Sequence, residues 1–538
     1  MGVLAFRIGE IRSCLFHRFN VILFIAKSHC IAVFNQMTDT AEKSIATAEV
    51  AQKSRHPRGL YTLFFTEMWE RCSYYGMRAL LVLFMVDAIR GGLGFTDETA
   101  TAIYGLYTAM VYLAALPGGW MADRLLGAQR SVWCGGIIIA AGHFTLAVPL
   151  KETFFLGLLL VILGTGLLKP NISVIVGHLY PEGGARRDAG FSIFYMGINL
   201  GAFIGPLVCS ALGEKVNWHY GFAAAGVGMV LGLLQFKLTA RHLGEAGLRP
   251  RRKEGAAKQG FDKAWYIVVA GLAVVLLMVA LGLSRVVTFN PVPIAKKTSY
   301  VIVGLGAIYF AGILLFGKLD TVEIKRTVVL IVLLMASAMF WSGFEQAGSS
   351  LNLFAERFTV RTIAALQYEV PTGWFQSLNP VFIIALAPVF AALWVALARR
   401  NLNPSIPTKF AIGLILLGLG FLVMAGASQI AAAGKQAMPY WLITTYLLHT
   451  FGELCLSPVG LSAVTKLAPQ RFVSQMMGLW FLATSLGNLI AGLIAGKFAE
   501  GPAQLPEMFL RIVLTTAGSG LLLLLFVRPM KKLIGDIR

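Results

Sequence analysis

From about residue 60 to residue 527 the chain repeats one pattern: stretches of roughly 20 mostly apolar residues, separated by short polar turns. Coiled into a helix, a run of that length crosses ~30 Å of hydrocarbon. The spans fall near 61–89, 100–122, 131–150, 154–178, 190–213, 218–240, 263–284, 299–317, 327–349, 374–398, 408–428, 439–463, 473–497 and 506–527. They predict fourteen transmembrane helices in an all-α polytopic membrane protein. Composition agrees, since 57% of the 538 residues are hydrophobic and 13% charged, against about half and a quarter in soluble domains. A soluble enzyme, a disordered chain and a coiled coil are excluded.

An even number of spans places both termini on one side. The formal charge of +20 would suggest nucleic acid in a soluble protein, but here the positions of the charges matter more than their sum. Of 46 Lys and Arg, about 24 sit in alternate short loops and the C-terminal tail and about 10 in the opposite loops. The richer side is expected to be cytoplasmic, with both termini there, and the short loops with no large extracellular domain suggest a bacterial inner membrane. The cluster Arg249, Arg251, Arg252, Lys253, Lys258 and Lys263 reads as a cytoplasmic loop, so the expected surroundings are a lipid bilayer and no nucleic acid. The spans divide as six, two and six: a first bundle over 59–240, a basic linker with two inserted helices over 241–325, and a second bundle with its tail over 326–538. Two six-helix halves point to a secondary transporter with its site between them. The inserted pair carries no charge at mid-membrane depth and is expected outside the transport path, facing lipid.

Residues 1–58 form an N-terminal extension. The apolar stretch at 13–35 is broken by His17, Arg18, Lys27, Ser28 and His29, which makes a poor span, and it lacks a small-residue cleavage site. The polar run beginning at Met37 is typical of a cytoplasmic N-terminus, and the expectation is that residues 1–36 are a start-site artefact. Cys14, Cys30, Cys72, Cys134, Cys209 and Cys455 show no CxxC and no spacing to His, so neither a disulfide framework nor a metal site is expected.

Ionisable residues inside the spans carry the functional signal, because each costs about 2.5–3.5 kcal/mol at mid-membrane. Glu67, Glu70, Arg71, Tyr74, Tyr75 and Arg78 follow i, i+3, i+4, i+7, i+8, i+11 spacing, one continuous helix face. That stripe is either an ion-pair ladder joining helices or a cavity face combining a proton site with an anion clamp. Lys169, ahead of Pro170, lies too deep to snorkel and needs a counter-ion. Glu345, one turn after Trp341, is the candidate in the other half. His449, Glu453 and Ser457 are spaced i, i+4, i+8; His449 reads as a structural residue or as part of a proton path, and Trp480 by default as a packing aromatic. Arg71, Arg78 and Lys169 against Glu67, Glu70, Glu345 and Glu453 leave one excess negative charge. One proton would neutralise it, which favours proton over sodium coupling.

Glu67–Gly76 resembles the ExxERFxYYG motif of the proton-dependent oligopeptide transporter family within the major facilitator superfamily, with Cys72 in place of the usual Phe. Gly118–Arg130 is similar to the superfamily's loop motif between the second and third helices. Phe194–Ala202 resembles the family's FYxxINxG signature, and Phe375–Pro380 and Gly452–Pro458 match in the second half. The resemblance covers residues 60 to 527 and implies the major facilitator fold: two six-helix bundles plus the inserted pair. It also implies a proton-coupled symporter that imports di- and tripeptides by alternating access, acting as a monomer, with the proton gradient in place of any cofactor.

The resemblance further implies that Glu67, Glu70 and Arg71 form the proton-linked cluster. Arg78 and Lys169 would hold the peptide carboxylate, and Asn199, Asn379 and Glu453 its amino group, with Ser457 beside them. Tyr74, Tyr75, Tyr112, Trp341 and Trp480 would line side-chain pockets. Lys169 and Glu345 would form an inter-bundle ion pair that breaks as proton or substrate arrives. Asp123 and Arg124 would brace the inward gate, unless they are solvated charges in a simple turn. The other readings are the same fold with a different cargo (nitrate, a peptide-like drug or another amphiphilic metabolite) and a membrane sensor that does not transport. No nucleophile–base pair or phosphate loop points to an enzyme.

Overall fold

Each apolar span becomes a helix, and the polar punctuation between spans becomes the turns. The computed structural model describes residues 56–248, 263–284 and 289–535; the expected start at Met37 and most of the basic cluster after residue 248 lie outside them. The first six helices are α1 (Arg58–Val86), α2 (Asp97–Met121), α3 (Ala128–Leu146), α4 (Lys151–His178), α5 (Gly184–Lys215) and α6 (Trp218–Thr239). Then come α7 (Lys263–Leu283) and α8 (Pro291–Phe316). The second half holds α9 (Thr321–Phe344), a short α10 (Ser350–Phe358), α11 (Leu378–Arg399), α12 (Ile406–Ala432), α13 (Tyr440–Leu467), α14 (Val473–Ala495) and α15 (Leu505–Ile534).

Among the described residues, 12 helical segments are long and apolar enough to cross a membrane by length and composition alone. Two of the expected spans fall outside that set for legible reasons. Glu67, Glu70, Arg71 and Arg78 crowd α1, and Gln129, Arg130 and Ser131 take up the first turn of the 19-residue α3. Helix starts carry the expected caps: Asp320 and Glu323 form a reciprocal capping box on α9, and Thr96 and Asn217 accept from the first turns of α2 and α6.

The second half departs from the expected spans at 327–349 and 374–398. Helix α9 stops at Phe344, and Glu345–Gly348 form a 3-10 turn before α10 resumes the span. Gly343, Gly348, Ser349 and Ser350 interrupt the apolar run at that point, which explains why the span breaks there. A two-stranded hairpin follows, pairing Thr362 with Glu369 and Ile363 with Tyr368, and a 3-10 turn at Thr372–Ser377 leads into α11.

Close approach of backbones sets the packing. A Cβ on Gly201 would lie 2.1 Å from the Met68 carbonyl oxygen, and one on Gly205 would lie 2.2 Å from that of Cys72. Helices α1 and α5 therefore touch backbone to backbone, and this contact fixes the rotation of the charged stripe. Between the halves, a Cβ on Gly492 of α14 would meet the Thr101 carbonyl oxygen of α2 at 2.4 Å and the Gly105 Cα at 2.7 Å. The inserted pair is peripheral. Most apolar side chains of α7 are exposed, while α8 seats Ala295 and Ile302 against Ala102, Ala109 and Leu489 across α2 and α14.

Overpacking a close helix contact costs about 1–3 kcal/mol, and more where backbone blocks relaxation. Gly205→Leu is expected to lower the thermal midpoint in detergent, read by size exclusion after heating. Gly271→Leu on α7, where a Cβ meets nothing within 4 Å, is expected to leave it unchanged.

Candidate functional site

The stripe on α1 is buried along its whole length: Glu67, Glu70, Arg71 and Arg78 are 3%, 0%, 3% and 6% exposed. Arg71 serves two carboxylates, with its Nε 3.0 Å from Glu67 Oε1 and 2.5 Å from Glu70 Oε2. Glu67 Oε2, Glu70 Oε1 and Arg71 Nη2 have no hydrogen-bond partner among the described residues. The Arg71 guanidinium also lies over the Tyr74 ring, 5.3 Å from its centroid.

Arg78 reaches across to the other half. Its Nη2 lies 3.1 Å from Glu345 Oε2, with the guanidinium 5.4 Å from the Tyr75 ring centroid and 5.9 Å from that of Tyr104. Glu345 stands at the broken end of α9, where the helix carbonyls already favour a cation. The inter-bundle ion pair expected from the sequence is thus present with a different cation. Lys169 has no ion pair among the described residues, and its Nζ instead sits over the Tyr112 ring, 3.8 Å from the centroid. Arg78 lies on the same stripe two turns beyond Arg71, where its fork meets Glu345. Lys169 stays within electrostatic range of Glu67, Glu70 and Glu345, so both cations face one charge cluster.

In the second half, Asn379 Nδ2 donates to Glu453 Oε2 at 3.0 Å and to Thr450 Oγ1 at 3.1 Å. Tyr75 is within electrostatic range of Arg71, Arg78, Glu345 and Glu453, which brings the two halves' charges around one phenol. Asn199 Nδ2 donates to the Tyr195 carbonyl of its own helix. Trp341 is half-buried against Phe340 and Phe344, with its indole N–H unpartnered among the described residues. Ser457 is half-buried one turn beyond Glu453. Trp480 is packed: a Cβ on Gly460 would lie 2.0 Å from its ring, and Phe410 meets it edge-on. His449 is enclosed by Phe421 and Phe344. Asp123 and Arg124 are exposed in a π-helical turn at Ala122–Leu126.

Sequence reasoning missed several contributors. Tyr104 and Tyr107 are buried beside the stripe, and Tyr107 stacks on Tyr74 at 6.4 Å. Their helical spacing to Tyr112 is the signal that could have found them. The links sealing one end had no such signal. Arg357 pairs with Asp97 in two bonds of 2.7 and 2.8 Å, Arg90 approaches Glu356 at 3.5 Å, and Lys215 meets Glu369 at 3.0 Å. Asn352 donates to the Ala79 carbonyl, Trp374 to that of Leu207 and Ser377 to that of Phe203. All join the first six helices to the second half, and they gather toward the end that holds the 87–96 turn and the hairpin.

Known proteins place this arrangement. The chain is 45% identical over 494 residues to the peptide transporter YePEPT of Yersinia enterocolitica, covering 89% of this chain and 96% of the relative. It is 38% identical over 494 residues to a di-/tripeptide transporter of Lactococcus lactis subsp. cremoris, covering 90% and 97%. A crystal structure of a peptide transporter, POT, in complex with sulfate superposes with a TM-score of 0.82 at 43% identity, over 89% of this chain and 96% of that one. The model of the POT family matches residues 129–510. The chain, a multi-pass membrane protein with the major facilitator fold, belongs to the POT family.

Proposed function

We propose that the chain is a proton-coupled symporter that imports di- and tripeptides by alternating access. The observation that carries this reading is the ion pair between Arg78 and Glu345. It joins two halves that must separate, beside a second cation, Lys169, that lies over an aromatic ring. A peptide carboxylate entering between Arg78 and Lys169 competes with Glu345 for the guanidinium. Its amino group has Glu453 and Asn379 on the facing half, with Asn199 as a further acceptor. Short peptides share these two ends, so fixed charges read the termini while Tyr74, Tyr75, Tyr112 and Trp341 tolerate varied side chains.

Charge balance supplies the coupling. Arg78 with Glu345 is neutral, and Arg71 and Lys169 count against three carboxylates, Glu67, Glu70 and Glu453, which leaves one negative charge in excess. One proton among these carboxylates closes the account, and it passes to Glu345 when substrate takes Arg78. When substrate takes Arg78, Glu345 becomes a buried unpaired carboxylate, which costs about 3–5 kcal/mol if it stays ionised. Protonation relieves that cost, and the halves lose the pair that held them.

The moving bodies in this reading are 59–240 and 326–538, with 241–325 outside the path. Charge bias between the loops supports a cytoplasmic location for both termini, and the short loops suit a bacterial inner membrane. The sealed end then faces outward and Asp123 and Arg124 lie at the cytoplasmic rim. Every group invoked comes from one chain, so a monomer suffices, driven by the proton gradient and with no cofactor assigned.

Glu345→Gln keeps the shape and fixes the neutral form of the switch. It is expected to retain dialanine exchange across proteoliposomes while losing accumulation driven by an inward proton gradient at least tenfold; unchanged accumulation would remove Glu345 from the coupling. Lys169→Ala is expected to abolish concentrative uptake, whereas near-normal uptake would show that the second cation is dispensable. Glu453→Gln is expected to weaken binding of free-amine peptides about tenfold or more, as befits one charge-assisted hydrogen bond, and that of N-acetylated peptides little. Calorimetric titration of both ligand classes checks it, and equal losses would refute the amine-binding role.

A further inference from the structure

One face of α5 is joined to the second half by backbone groups rather than by the charge site. Phe203, Leu207, Ser210 and Glu214 recur at i, i+4, i+7 and i+11 along that face. The Phe203 carbonyl accepts from Ser377 Oγ at 2.8 Å and the Leu207 carbonyl from Trp374 Nε1 at 2.9 Å. At the last turn, Glu214 Oε2 accepts the N–H of Thr372 at 2.6 Å and Oε1 that of Gly373 at 2.9 Å. These N–H groups open the 3-10 turn Thr372–Ser377, where no intrahelical acceptor is available to them. Between these bonds the surfaces are flush, since a Cβ on Gly373 would lie 1.9 Å from Ser210 Oγ. Thr372 is anchored from its own side, its hydroxyl donating to Glu356, which also pairs with Arg361.

We propose that Glu214 is the latch of the sealed end, gripping the peptide N–H groups of Thr372 and Gly373, with Gly373 as the socket that admits Ser210. A carboxylate turns both oxygens to two parallel donors and accepts from each. Glutamine in its place turns one amino group toward an N–H, so one of the two bonds is lost and a donor–donor clash replaces it. The latch is separate from Arg78 and Glu345 and from the exposed ion pairs at the same end: substrate and proton address the first of these, while neither ligand touches the zipper. The zipper sets the resting bias toward the sealed state. This role rests on the alternating-access reading, but its test requires no transport.

Double electron–electron resonance between nitroxides at the exposed positions Tyr220 and Met438, one on each half, reads opening of this end. The background has the native cysteines replaced by alanine and the protein is in nanodiscs. Glu214→Gln is expected to raise the ratio of long to short distances about tenfold, equivalent to about 1.4 kcal/mol. Gly373→Ala is expected to do the same, and adding Ser210→Gly to it should restore the short distance. Lys215→Gln, which removes the neighbouring ion pair, should leave the distribution as in the parent. Unchanged distances in folded, monodisperse Glu214→Gln and Gly373→Ala protein would overturn the latch, as would equal opening in Lys215→Gln. Failed peptide uptake with the expected distance shifts would count against the transport reading alone.

Discussion

A charge buried in a membrane has to be answered by another side chain, because lipid cannot solvate it. Most of this structure follows from that constraint. Helix α1 carries four ionisable side chains on one stripe, and its own residues answer only three of them, through Arg71 and its two glutamates. The fourth, Arg78, finds its counter-ion on the other half of the chain. A single helix thereby obliges two bundles to meet. Any agent that offers Arg78 another anion, or Glu345 a proton, acts on the contact between them.

Backbone geometry delivers those charges to one place. The α1–α5 contact at Gly201 and Gly205 leaves the stripe no rotational freedom, and the break in α9 presents Glu345 at a helix end rather than along a helix side. There the helix carbonyls add to the carboxylate's demand for a cation. The same break draws Tyr104 into the site, because Gly348 has no side chain to exclude its hydroxyl. Sealing of one end is distributed differently, over exposed ion pairs worth little individually and over buried bonds to peptide groups. The second kind is screened much less by salt, which suits a contact that sets a resting bias.

Helix periodicity and charge made much of this legible in the sequence. Spans of the right length, a stripe at i, i+3, i+4 spacing and a lysine at mid-membrane depth are local patterns, and local patterns survive without a structure. The partner of Glu345 was not legible in the same way. Lys169 and Arg78 are both deep cations facing the same carboxylate, and choosing between them needs the relative rotation of α1, α4 and α9, which sequence spacing within each helix does not fix. The backbone zipper along α5 was invisible for a similar reason. Phe203 and Leu207 take part through carbonyls that every residue has, and Gly373 through the absence of a side chain. Trp480 had a family role in the sequence reading, while in the fold its ring fills the groove over Gly460.

The central claim is that peptide and proton cross together through one charge-balanced site. The most direct measurement is the luminal pH of proteoliposomes containing the purified protein, clamped at zero membrane potential, when dialanine is added outside with no imposed proton gradient. Coupled entry predicts luminal acidification that starts with dialanine addition, scales with labelled dialanine taken up, and is absent with empty liposomes. Dialanine entry with no change in luminal pH would contradict the account.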